Sequence, residues 1–209
     1  MQLSSGPAAF FAVSIGSGNR DNPLADQNQG ALYLIEDKTP QNDAVSTLTV
    51  NDLYNATSAE LQSSNETVVA TAQQELDQAS GWYIQLHPGE KILSETITLD
   101  NNIFATSFTP VDDGTASSVC DVTPIAQNRL LGVSLTDAGP ANNLSSDESE
   151  SNDTNSLVHN RFTDLAAQGI ASQPQLVFGK DSTSAQLFVG KEEVSSVAPV
   201  LHRSLWYTK

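Results

Sequence analysis

Apolar positions in this chain come in short bursts separated by turn chemistry. The run AAFFAVSI, residues 8 to 15, stops at Gly16, and a second run, ALYLIED, spans residues 31 to 37. Both have the length and bounding turns of buried strands. Residues 46 to 57, STLTVNDLYNAT, alternate moderately and end in turn residues. Residues 66 to 78 follow another period: Val69, Ala72 and Leu76 recur at helical spacing behind Asn65 or Ser64 as a cap. That pattern predicts a short surface helix. The densest β pattern runs from GWYIQL (81–86) through a His87-Pro88-Gly89 hairpin turn to EKILSETITLD (90–100). It continues across Asn101-Asn102 into IFATSFTP (103–110), and Asn-Asn between apolar runs is hairpin chemistry because Asn tolerates positive φ. RLLGVSLT (129–136) closes at Asp137-Ala138-Gly139-Pro140, and further strand candidates lie near 174–179, 185–190 and 201–208. Residues 141 to 157, ANNLSSDESESNDTNSL, are acidic and of low complexity, with nothing to bury, and predict a solvated loop. Many short strands, frequent turns and one helix make this an all-β chain without a strict internal repeat.

Composition narrows the partners. The 209 residues suffice for a real core, and a 38% hydrophobic content against 16% charged excludes charge-driven disorder. Nine basic residues face 25 acidic ones, a formal charge of -16. A field of that sign repels phosphate backbones and anionic lipid, so neither nucleic acid nor a membrane surface is an expected partner. No apolar run approaches the roughly 20 residues of a membrane span, and no basic segment leads into an apolar one as in a signal peptide. Cys120, the single cysteine, excludes an internal disulfide and any multi-cysteine zinc site. The sequons at Asn55, Asn65, Asn143 and Asn152 are what chance supplies in a chain this rich in Asn, Ser and Thr.

The stretch FFAVSIGSGNRDNPL (10–24) poses the sharpest chemical question. Gly16 and Gly18 begin a G-x-G-x-x-G pattern, but Asp21 stands where the third glycine belongs and Pro23 interrupts any following helix. A dinucleotide site needs a helix N-terminus there, so backbone turns and close strand approach are the expected role of these glycines. Ser17 lies outside a G-x-S-x-G elbow. His87, His159 and His202 have no neighbours at metal-ligand spacing, and Asp112-Asp113-Gly114 and Asp147-Glu148 do not follow a calcium-loop pattern. Cys120 is expected as a small, partly buried side chain. Trp82-Tyr83 and Trp206-Tyr207 sit at strand positions, where core packing outweighs a ligand platform. No catalytic, cofactor-binding or metal-binding constellation emerges, and the chain is expected to be non-enzymatic.

Five stretches in order carry a family resemblance. AVSIGSGNRDNPL followed by GALYLIED resembles the strand, G-S/T-G-x-R, P-L and strand passage of the type IV pilus assembly and tip-adhesin family PilY1, with Leu32-Tyr33 where Phe-Tyr is usual. GWYIQLHPGEKILSETITLDNNIFATSFTP resembles that family's Gly-Trp-Tyr, Gly-Glu-Lys and Thr-x-Phe-x-Pro run, and RLLGVSLTDAG, GIASQPQLVFG and Arg203 to Trp206 follow in its order. The resemblance covers most of the chain apart from 58–80 and 141–157, which read as variable insertions. It implies the C-terminal part, last blades included, of a modified β-propeller, over residues 1–209, from a longer pilus-associated protein. It implies minor pilins and a host or surface receptor as partners, and a place at the cell surface, pilus tip or periplasm. The family's calcium loop has no match here, so no cofactor is carried over. Gly16-Ser17-Gly18 would end an inner strand, with Arg20 anchoring the loop to an acidic partner. The rival readings are a quinoprotein-type propeller oxidoreductase and a generic extracellular module, such as a carbohydrate binder.

Overall fold

A computed structural model describes residues 10–24, 29–38, 47–111, 126–141, 144, 158–167, 169–178 and 185–197. The first sheet contains β1 (Phe11–Gly16), β2 (Ala31–Asp37), β3 (Tyr54–Asn55) and β4 (Gly81–Gln85) in the order β1-β2-β4-β3. Its pairs are antiparallel except β3 with β4. A parallel pair needs a crossover, and helix α1 (Glu66–Gln78) supplies it. Asn65 caps that helix, its side chain accepting the Thr67 N–H at 3.0 Å, and Ala72 and Leu76 are its buried residues.

The second sheet holds β5 (Lys91–Ile92), β6 (Ile97–Leu99), β7 (Asn102–Pro110), β8 (Ala126–Ser134) and β9 (Phe162–Leu165). Its order is β5-β7-β8-β9, with β6 also pairing β7. The third sheet is the antiparallel ribbon β10 (Pro174–Phe178), β11 (Ala185–Val189) and β12 (Glu192–Val197).

Period-two alternation stacks these sheets into layers. Leu32, Leu34, Trp82 and Ile84 of the first sheet share a core with Ile103, Ala105, Leu131 and Val133 of the second, joined by Ala72 and Leu76 of α1. The opposite face of the second sheet sends Phe104 and Leu130 to meet Leu187 and Val189 of the third. The middles of β7 and β8 are therefore covered on both faces, in keeping with the unbroken apolar stretches Ile103–Ala105 and Leu130–Val133.

The all-β expectation holds, with local corrections. The predicted buried strand at 8–15 is an edge strand, β1, whose Phe11, Val13 and Ile15 are exposed. Residues 47–57, which alternate only moderately, give a 3-10 turn (Val50–Asp52) and the two-residue β3. The His87-Pro88-Gly89 turn is real: Glu90 N–H donates to the His87 carbonyl at 3.0 Å and Gly89 has φ +78°. That is type II chemistry, Pro then Gly. It joins no hairpin, however, because β4 and β5 belong to different sheets. The second turn lies one residue earlier than expected, at Asp100-Asn101, with φ of 47° and 64° as a type I′ hairpin requires. The run at 90–100 breaks between β5 and β6, where Leu93 and Thr96 bond to the β1 side instead of to β7. β9 and β12 arise where no strand was expected, in short polar sequences recruited by pairing to β8 and β11.

Both segments read as variable insertions carry buried groups. Leu144, inside the predicted solvated loop, is buried with Phe104 and Leu130, while 142–143 and 145–157 lie outside the described residues. Within 58–80, Ala59 is buried as well as the helix residues. The strand candidate at 201–208, with His202, Arg203, Trp206 and Tyr207, lies outside the described residues. So do Cys120, Asp112-Asp113-Gly114, Asp147-Glu148, Asn143 and Asn152.

Candidate functional site

The Gly16-Ser17-Gly18 loop is tied down on every side. Ser17 donates its N–H to the Ala31 carbonyl at 2.8 Å and accepts the Ala31 N–H on Oγ at 2.8 Å. Its carbonyl takes the Ile92 N–H at 3.0 Å, so one residue bridges β2 and β5. A Cβ on Gly18 would lie 2.7 Å from Leu93 Cδ2 and 2.8 Å from the Ile92 carbonyl oxygen, and one on Gly16 would overlap the Ile92 side chain. Neither glycine has positive φ. The space, not the dihedral, demands glycine. Arg20 Nη1 donates to the Leu93 carbonyl at 2.8 Å, and among the described residues it meets no acidic partner.

The Gly-Glu-Lys stretch faces this loop. Lys91 is buried, and its ammonium donates to the carbonyls of Pro23 and Gly89 at 3.1 and 3.0 Å. Glu90 is fully buried and faces the other way. Its Oε1 accepts from Arg129 Nε at 3.0 Å and from Ser107 Oγ. Its Oε2 accepts from Arg129 Nη2 and from the His87 N–H, the latter at 3.0 Å. The Arg129 guanidinium lies 3.9 Å over the Phe162 ring. Above this pair opens a cleft of about 750 Å³. Gln127, Arg129, Phe162 and Asp164 line it, with Thr109 beside them, His87 on the turn and the exposed His159 at its margin.

A further buried cation is structural. Arg161 is fully buried, its Nη1 donating to the carbonyls of Ala56 and Thr57 at 2.9 and 3.3 Å and its Nη2 to Gln62 Oε1 at 3.3 Å. Burial pulls its pKa down to about 10, against the field of Asp137. Nearby Tyr54 is buried with an unpartnered hydroxyl, and burial, with Glu60 and Glu75, pushes its pKa up to about 12.

Trp82 is wholly buried, in agreement with its expected core role, and Tyr83 stacks on Tyr33 with centroids 6.1 Å apart. His87 is exposed on its turn. Among the described residues no three His, Cys, Asp or Glu side chains group as metal ligands, and no helix is long and apolar enough to cross a membrane. The cleft was not foreseen from sequence. Its one legible signal was a lone arginine, Arg129, within an apolar strand. No protein-family model, curated protein or solved structure matches this chain.

Proposed function

We propose that this chain is a non-enzymatic domain of a PilY1-like type IV pilus-associated protein, acting in pilus assembly, retraction control or adhesion with minor pilins as partners. One observation carries the reading. The stretches that bear the resemblance converge on a single junction. Ser17 of G-S-G-x-R bonds Ala31 of GALYLIED and Ile92 beyond Gly-Glu-Lys, while Glu90 of that motif holds Arg129 of RLLG. A shared set of residues that locks two sheets together is what a common scaffold would retain, and it explains why Gly, Arg, Glu and Lys stand at those positions. In this reading the sheets are propeller blades or parts of them. The stacked meanders β7-β8-β9 and β10-β11-β12 support it, since neighbouring blades pack face to face. The extracytoplasmic location belongs to the same proposal.

The test is genetic and biochemical. Deleting the gene in its own host should reduce surface pili or twitching motility, restored by the wild-type gene, and the purified chain should capture minor-pilin ectodomains. A deletion strain with normal piliation, twitching and adhesion sinks the proposal. Dye-linked alcohol oxidation after reconstitution with a quinone cofactor would favour the oxidoreductase rival instead.

A further inference from the structure

The cleft above Glu90 and Arg129 has a composition that selects its ligand. We propose that it binds an uncharged carbohydrate, with Arg129, Gln127 and Asp164 reading hydroxyls and Phe162 as an apolar wall. This goes beyond the pilus reading and stands whether or not that reading holds.

The site is built by one sheet face that changes character along its length. Ile103, Ala105, Leu131 and Val133 lie on that face and are buried in the main core. Two residues further along β7 and β8 the same face carries Ser107 and Arg129, then Thr109 and Gln127, with Asp164 of β9 opposite Arg129. The polar end is left open as the cleft, whose volume falls in the range of small-ligand sites.

Its floor is fixed before any ligand arrives. Two donors of Arg129 are held by Glu90, and Glu90 is held by Ser107 and the His87 N–H. A guanidinium has five N–H donors. The Nη1 side of Arg129 has no protein partner among the described residues, and the side chain is 14% exposed at the cleft. Its stacking on Phe162 holds that ring in place as well. Replacing a buried ion pair by apolar residues is often neutral or stabilising, so stability alone does not call for this floor. A pre-set hydrogen-bonding surface does, because ordering costs are then met in folding and not in binding.

Charge decides the class. Glu90 neutralises Arg129, leaving the Asp164 carboxylate in a chain of formal charge -16, so an anionic ligand is repelled. His87, His159 and Asp164 do not group as metal ligands among the described residues. What remains is a set of donors and acceptors, namely guanidinium, amide, carboxylate and hydroxyl, beside an aromatic ring. A neutral polyol with alternating O–H and C–H surfaces satisfies both.

The probe is a printed array of neutral and acidic oligosaccharides, followed by saturation-transfer NMR titration of the strongest neutral binder with the full chain. Gln127→Ala and Asp164→Asn alter exposed side chains and should leave the melting temperature unchanged. Each should weaken binding at least about tenfold, the loss of roughly one good hydrogen bond. If either variant melts early, Thr109→Ala provides the same reading. Binding of acidic glycans alone, binding that the stable variants do not weaken, or no glycan binding at millimolar concentration overturns the proposal.

Discussion

The indole Nε1 of Trp82 donates to the Leu135 carbonyl at 2.9 Å, tying β4 of the first sheet to the residue that follows β8 of the second. Trp82 thus fills the main core and closes a polar gap between two layers at once. Trp82→Ala should cost about 3 to 5 kcal/mol, the range for emptying a large buried aromatic site. Trp82→Phe keeps most of the volume but strands the Leu135 carbonyl, and should cost about 1 to 3 kcal/mol. Chemical denaturation with an unmoved midpoint for Trp82→Ala would place the ring outside the core.

Gly16 and Gly18 make room for Ile92, Leu93 and Lys91. Alanine at either position should destabilise by about 1 to 3 kcal/mol through overpacking. Millimolar NAD or ATP should leave the melting temperature unchanged, since the Ser17 N–H is already committed to Ala31 and Arg20 to Leu93. A saturable thermal shift lost in Arg20→Ala would return the loop to phosphate binding.

The buried pair Glu90–Arg129 should show strong coupling. Removing the carboxylate alone, in Glu90→Ala, strands a largely buried guanidinium and should cost about 3 to 5 kcal/mol. Glu90→Met with Arg129→Met removes both charges and should cost much less than the sum of the single changes. A double-mutant cycle from urea denaturation that gives additive losses would show that the pair does not act as a unit.

Tyr54 should titrate late. It keeps its proton in the fold to about pH 12, because burial is the largest cause and Glu60 and Glu75 add to it. The unfolded phenol ionises near its ordinary value of about 10. Between these values the native state binds more protons, so this contribution to stability is complete below pH 10 and is lost as pH rises through about 12. Absorbance at 295 nm should show a phenol titrating near 12 that disappears in Tyr54→Phe. Ionisation of that residue near 10 in the folded protein would contradict its burial.

Phe11 is 69% exposed on the outer face of the edge strand β1. Phe11→Ser should therefore change stability by no more than about 0.5 kcal/mol, as for most surface substitutions. A loss of several kcal/mol would mean that this face is covered.

Local pattern alone determined much of this protein. The helix at 66–78, its Asn65 cap, the strands at 31–37, 81–85, 102–110, 174–178 and 185–189, and the buried Trp82 follow from periodicity and capping, which act within a few residues. Tertiary structure decided the rest, because it depends on partners distant in the chain. β1 reads like a buried strand, yet it ends at a sheet edge with one face in solvent. The His87-Pro88-Gly89 turn carries hairpin chemistry but crosses between sheets, since β5 finds its partner in β7. The cleft joins residues of the 87–90 turn to β7, β8 and β9, which no spacing rule links. Its floor exists because the fully buried Glu90 meets Arg129, 39 positions away.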